Sequence, residues 1–290
     1  MACLAITGAM KSTPTAEMEM LLNPTPLDLV ILAEARMAPY RLHILKQPID
    51  PKTEAGLLSM WKNVSDPILD MRSDHTFPGY YYSKIFNVII DCDYWRNKDP
   101  DFPEDALIWF TDGSRANSGT GSGIFGLRPN RSFSFPLGKF DTVFQTEICA
   151  ILQCACENKR RAYKNKRILI CSDIQVALKA LSSPKVTSEL VAECLDALYA
   201  LASPNEVTLA WASGHRGISG NEEADKLARQ ASAMPLLGPE LALGIPKCSV
   251  REAIKNWTEV QHHSAWKDLP GLRHGKLFIG RPCEKRVDDN

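Results

Sequence analysis

The sequence predicts an α/β fold: a mixed sheet with helices on both faces. Three observations carry this. Between residues 105 and 234, three short apolar runs lie close together with turn residues between them, as in an antiparallel meander. Later apolar runs are separated by segments with helical periodicity and crossover length, which lays strands parallel and covers the sheet on both sides. The order that results is three strands, a helix, a strand, two helices, a strand and a helix, giving a five-stranded sheet.

Residues 1–46 read as a helical segment. Pro14 and Pro26 stand near first turns, and "AEMEMLL" and "LDLVILAEARMAPYRLHIL" space apolar residues three and four apart. From 47 to 104 the pattern dissolves into Pro, Asp and scattered aromatics ("DHTFPGYYYSKIF", "YWRNKDPDFPED"), which reads as a linker. "ALIWFTD", "GSGIFGL" and "RSFSFPL" are the meander strands, with "RPN" as a turn. "FQTEICAILQCACENKRR" places Ile148, Ile151, Leu152 and Ala155 on one helical face. "RILICSD" is a strand feeding the helix "IQVALKALSS", which Pro184 stops, and Thr187 is positioned to cap the next helix through about Leu201. "EVTLAWASGH" is the last strand and "SGNEEADKLARQAS" the last helix, with Ser219 and Glu222 spaced as a capping box. Residues 235–290 form a C-terminal tail, irregular apart from a short helix in "SVREAIKNWTEVQHHSAW".

Composition narrows the class. The 290 residues are 44% hydrophobic and 23% charged, ordinary for a globular chain. Thirty-four basic residues balance thirty-four acidic ones, so nucleic acid or anionic membrane must be met by local patches. The nine cysteines show no framework spacing and no secretory leader opens the chain, so an intracellular setting, nucleus or cytoplasm, is expected. The longest apolar stretches, such as residues 29–33, are too short and too closely flanked by charge to span a bilayer, so no membrane partner is expected.

Four acids stand out. Asp112 and Asp173 each end an apolar strand ("IWFTD", "ILICSD"), at the sheet edge where α/β proteins bind ligands. Glu147 lies in the early turns of the first long helix and Asp225 early in the last. Carboxylates crowded in a partly dry site repel one another unless protonated or neutralised by a cation. All-oxygen ligation suits Mg²⁺, with Mn²⁺ as a substitute. Two such ions roughly 3.5–4 Å apart can hold the attacking water and leaving oxygen of a phosphodiester in line. Taken singly each acid has a structural alternative: turn former, solvated helix residue, or favourable charge on a helix dipole. His215 lies in a loop with Gly214, Gly217 and Gly220; it is either a loop residue without a task or a mobile group that titrates near neutrality beside the metals.

"TDGS", "QTEICAI", "CSDIQVAL" and "GHRGISGNEEADKLA", in this order and spacing, resemble the type I ribonuclease H family over about residues 106–233. The resemblance implies a ribonuclease H-like fold and endonucleolytic hydrolysis of the RNA strand of RNA/DNA hybrids, leaving a 3′-hydroxyl and a 5′-phosphate. It makes Asp112, Glu147, Asp173 and Asp225 the metal ligands and His215 the auxiliary catalytic histidine, with two Mg²⁺ ions and no small-molecule cofactor. Backbone groups at Gly113 and Ser114, freed by a turn, are candidates to meet 2′-hydroxyls in the shallow minor groove. Asn117, Gln145 and Gln175 are candidate polar contacts to substrate, and each reads equally as a turn or helix-cap residue.

Bacterial-type members often carry a basic helical protrusion where this chain has only "SSPKVTSE", so substrate grip is expected elsewhere. "KRRAYKNKR" is basic but also fits a solvated helix end. The N-terminal stretch "ACLAITGAMKSTPTAEMEMLLNPTPLDLVILAEARMAPYRL" is similar to the segment joining reverse transcriptase to ribonuclease H in non-LTR retrotransposon polyproteins. No polymerase motif of the "YADD" kind and no Cys/His knuckle spacing accompanies it, so the chain is expected to be the C-terminal piece of such a polyprotein. Competing readings are a catalytically idle nucleic-acid-binding relic or domesticated module, and another nuclease of the same broad fold. Intact acids weigh against the first, and "GHRGISGNEEAD" against the second.

Overall fold

The computed structural model describes residues 10–22, 24–45, 72–90, 102–214, 217–236 and 243–278, with isolated positions 6, 8, 50, 52, 55, 56 and 59. The chain divides into two compact units, one of Met1–Asp70 with Cys248–Asn290, the other Met71–Lys247.

The first unit holds α1 (Thr15–Leu22) and α2 (Leu27–Leu45), which begin directly after Pro14 and Pro26, where a missing backbone N–H costs nothing. It also holds most of α7 (Lys247–Asp268) and the short α8 (Arg273–Phe278). Met20 packs with Trp266, and the Arg36 guanidinium lies 3.3 Å above the Trp257 ring centroid. A tail irregular apart from a short helix was expected here, yet α7 runs 22 residues. Its buried stripe passes through Val250, Ile254, Thr258, His262 and Trp266, so two of five positions are polar and the apolar period is broken on paper.

The second unit is built on a six-stranded sheet in the order β2-β8-β6-β3-β4-β5. β3 (Leu107–Arg115), β4 (Thr120–Arg128) and β5 (Arg131–Gly138) form the antiparallel meander. β6 (Arg167–Ser172) pairs parallel to β3, and β8 (Glu206–Trp211) parallel to β6. The sixth strand, β2 (Asn87–Ile89), pairs parallel to β8 from within the stretch expected to be a linker. Three residues are too few to show an alternation, and only the exposed edge of β8 gives them a partner.

Side chains alternate across the central strands. Trp109, Ile168, Ile170 and Leu209 face α3 (Val143–Arg160), α4 (Gln175–Ser182) and α5 (Glu189–Ala202) in the larger core. Ile108, Phe110, Leu169, Cys171 and Ala210 face α6 (Ser219–Ala233) in the smaller one, with Ile218 and Ala224. Both faces are covered, so the strands read as continuous apolar runs.

Three details differ from expectation at helix starts. The capping box belongs to α3, where Thr142 and Gln145 bond reciprocally. α5 is capped by Ser188, one residue beyond Thr187, because Lys185–Ser188 is itself a strand (β7) paired antiparallel to β1 (His75–Tyr80). α6 has Ile218 at its N-cap and no side-chain cap bond, so Ser219 and Glu222 form no box.

The outer segments are fastened to this unit through hydrogen bonds. Ile245 N donates to Arg72 O at 2.6 Å and Asp74 N to Ile245 O at 3.1 Å. The Asp74 carboxylate accepts from Leu190 N at 3.0 Å and Ser188 Oγ at 2.8 Å, and its carbonyl from Glu189 N at 2.7 Å, so Asp74 meets two orphan amides at the start of α5. Gln145 Nε2 donates to Gly244 O at 2.7 Å.

The glycines of "GTGSG" have a packing task. Gly121 and Gly123, two apart on one face of β4, lie beneath α6. A Cβ on Gly123 would come 2.3 Å from Ala224 O and 2.4 Å from Ala228 N, and one on Gly121 2.5 Å from Ser232 N. Strand and helix backbones therefore touch directly, with Ala224, Ala228 and Ala231 fully buried on the helix side. Gly123→Ala is expected to lower unfolding stability in urea by about 1–3 kcal/mol, the scale of overpacking. An unchanged midpoint would show that α6 shifts away freely.

Candidate active site

Strand register brings the first two acids together. Thr111 of β3 pairs with Ser172 of the parallel strand β6, so the next residue on each chain, Asp112 and Asp173, emerges at the same C-terminal edge. Thr111 Oγ1 donates to Cys171 O at 3.1 Å and ties the strands just below. Trp211 Nε1, at the end of β8, donates to Asp173 O at 2.8 Å and holds the turn that carries this acid.

Glu147 arrives from α3 because Gly113 lets the helix approach. A Cβ at Gly113 would lie 2.3 Å from Thr146 Oγ1 and 2.7 Å from Glu147 N. With that space open, Gly113 N donates to Glu147 Oε1 at 2.8 Å, and Ser172 Oγ approaches Glu147 Oε2 at 3.4 Å. Asp112, Glu147 and Asp173 can each offer an oxygen such that all three lie within 4.8 Å of one another. They line a cavity of about 210 Å³ with Gly113, Ile174, Asn221, Glu222 and Asp225.

Burial and mutual repulsion dominate the electrostatics. Desolvation, then the charge of Asp173 and a hydrogen bond with it, push Asp112 up to about 7, against the Gly113 amide and the Arg229 guanidinium. Glu147 is held well above the ordinary carboxylate range by its burial first, then by Asp112 and Asp173. Asp173 Oδ1 is buried with no hydrogen-bond partner among the described residues. An acceptor in that condition among like charges fits a cation, and an all-oxygen donor set fits a hard divalent one.

The fourth acid stands apart. Asp225 lines the cavity, but its carboxylate accepts from Arg229 one turn along α6, and it lies outside the group of three. Gly214 sits against Asp173, since a Cβ there would be 3.0 Å from Asp173 Oδ2. The glycine loop thus leaves β8 beside the acids; His215 itself lies outside the described residues.

The expected substrate contacts fare unevenly. Gly113 and Ser114 are not in a turn: β3 continues through both, paired with Ser122 and Gly121, and the turn falls at Ala116–Gly119. The Gly113 amide is committed to Glu147 and is not free for a 2′-hydroxyl. Gln145 is 1% exposed and fully engaged with Thr142 and Gly244, which makes it the cap residue of its two readings. Asn117 is exposed in the hairpin turn, and Gln175, half-buried, accepts from Lys179 at 3.4 Å. Ser114, Asn117, Gln145 and Gln175 do not line the cavity. The basic run 159–167 lies at the opposite end of β6, with Arg160 and Arg161 paired to Glu157.

Sequence reasoning missed Asn221. It is 4% exposed, lines the cavity, and its Oδ1 lacks a partner among the described residues. The available signal was helical spacing: Asn221 stands one turn before Asp225 on the same face of α6.

Residues 104–233 match the family described as RNase H. No curated protein matches the chain. The six-stranded mixed sheet flanked by helices is consistent with the RNase H-like fold, and the match supports an RNase H domain over those residues. Domains of this family are nucleases that bind RNA/DNA hybrids and normally use divalent metals, and the buried acidic triad is compatible with that chemistry. Among the described residues no helix is long and apolar enough to cross a membrane.

The raised acids set a sign for pH dependence. In the unfolded chain Asp112 loses its proton near about pH 4, whereas in the folded, metal-free protein it keeps it until about 7. The folded state therefore binds more protons across that window, and this group's contribution to stability falls as pH rises through it. In chelator, Asp112→Asn is expected to gain stability over the wild type as pH climbs from about 4 to 7. The gain should amount to several degrees in Tm at pH 7, since each kcal/mol shifts a domain of this size by about 2–4 °C. Mg²⁺ should narrow the difference; a difference that is flat or shrinks with pH in chelator contradicts it.

Proposed function

We propose that this chain, through the RNase H domain at residues 104–233, cuts the RNA strand of RNA/DNA hybrids endonucleolytically by two-metal-ion catalysis. The single observation that carries the proposal is the meeting of Asp112, Glu147 and Asp173 at the sheet edge, with a buried Asp173 oxygen left without a donor among the described residues. Two Mg²⁺ ions, or Mn²⁺ in their place, would supply charge neutralisation and an activated water at the phosphodiester.

The chain's own residues divide the work. Gly113 and Ser172 orient the Glu147 carboxylate, and Trp211 orients the turn bearing Asp173. Asp225 would complete the ligand set from α6 by exchanging Arg229 for a metal. Asn221, which lines the cavity one turn before Asp225, would offer the site a further acceptor. His215 would move a proton to the leaving oxygen from the loop that starts at Gly214. The likeness of the N-terminal stretch to the reverse transcriptase connection supports a retrotransposon-derived protein.

The full chain, given a hybrid with end-labelled RNA and Mg²⁺, is expected to leave internal cuts bearing 3′-hydroxyls. Asp112→Asn should reduce the rate by at least about a hundredfold, the scale of losing one preorganised electrostatic group, while still folding. Cleavage that persists in chelator would sink the proposal; hybrid binding without turnover in either metal would point to the idle relic.

A further inference from the structure

β1 and β7 form a two-stranded ribbon apart from the main sheet, and the chain leaving it presents an aromatic surface. Tyr80 and Tyr82 are 58% and 81% exposed, on the same side of an extended stretch. Their rings stack with centroids 5.8 Å apart and planes 9° from parallel, and Phe77 is also exposed nearby in sequence. Tyr81 between them points the other way and fixes the strand. Its amide donates to Pro184 O at 2.8 Å, and its ring stacks on Tyr199, whose hydroxyl donates to Ser83 O at 2.5 Å. The backbone that carries the exposed pair is therefore held in place, so little backbone freedom remains to be lost on binding.

The cation on the outer face of the pair is Lys185. Lys84 turns inward instead, its buried amine 5.0 Å from the Tyr81 ring centroid, and Asp196 hydrogen-bonds Tyr81 on that inner side. Lys185 is exposed and lies directly across the ribbon from Tyr80 in register. Flat open aromatic faces beside an exposed cation match a strand of unpaired nucleotides, whose bases stack and whose phosphates meet Lys185. A buried apolar partner would match the rings but leave Lys185 unmatched. α4 runs from beside Asp173 to this ribbon, and its eight residues rise about 12 Å. An unpaired extension of a hybrid seated at the acids would need to cross only a few nucleotides.

We propose that Tyr80 and Tyr82, with Lys185, form a stacking platform for single-stranded RNA or DNA contiguous with the substrate of the acid site. This rests on the nuclease reading only in naming what occupies that site; the platform itself is read by binding.

The test uses the full chain and fluorescence anisotropy with a labelled oligouridylate, beside a blunt hybrid and a hybrid carrying an RNA overhang. Wild type should bind the oligouridylate and favour the overhang. The double variant Tyr80→Ala/Tyr82→Ala should lose roughly tenfold in affinity for both, and Tyr80→Phe/Tyr82→Phe should keep it. Lys185→Ala should flatten the salt dependence. Blunt-hybrid cleavage should be equal in wild type and the double alanine variant. No oligouridylate binding by wild type, no loss in the alanine variant, or equal loss in the phenylalanine variant each overturns the platform. Failure of the nuclease reading would appear separately, as no cleavage of the blunt hybrid by any of these proteins.

Discussion

Three carboxylates forced into one dry corner are the constraint on which the second unit's construction turns. Asp112 and Asp173 are neighbours because β3 and β6 run parallel in a register whose last pair is Thr111 and Ser172, one residue before each acid. Glu147 joins them because Gly113 has no side chain to keep α3 away. Bringing the acids together raises the site's energy, since burial and like charge push Asp112 to about 7 and Glu147 well up against the opposing Gly113 and Ser172 hydrogen bonds. The surrounding fold must be stiff enough to hold that arrangement, and its stiffness can be traced. Trp211, Thr111 and Ser172 tie the edge, and two cores clamp the sheet from both faces.

The same close approach recurs at α6. Gly121 and Gly123 let that helix lie backbone to backbone on β4, which carries Asn221, Glu222 and Asp225 to the cavity wall. Small residues on both partners thus do what bulky ones do elsewhere: they set how near a charged element comes to the acids. The stretch from Gly113 to Gly123 is a helix-packing surface along much of its length, and its exposed residues are confined to Arg115–Ser118 around the turn.

The RNase H match ends at residue 233, but the compact unit spans Met71–Lys247. Asp74, Ile245 and Gly244 account for the difference: Asp74 satisfies the first amides of α5, Ile245 holds Arg72 and Asp74 through backbone bonds, and Gly244 accepts from the side chain of Gln145. A segment without periodicity can be ordered when its hydrogen bonds complete those of a neighbour. β2 and β1 illustrate this, each ordered by pairing with β8 or β7 and not by its own pattern.

By itself the sequence determined the elements whose signal is local. Strand runs such as "LIWF" and "RILIC", the stripe of α3, and Asp173 at a strand end follow from burial on two faces and from period, and these are written in residue order; Asp112, expected to end its strand, lies within β3, which pairs with β4 as far as Arg115. Tertiary structure alone decided the rest, because it depends on what lies across from a residue. It turned Gly113 from a loop glycine into the seat of Glu147, and Gln145 into a cap and clasp. It gave the cap of α5 to Ser188, added β2 to the sheet, and left the Asp173 oxygen without a partner among the described residues. None of these has a period, since a partner distant in sequence leaves no spacing to read.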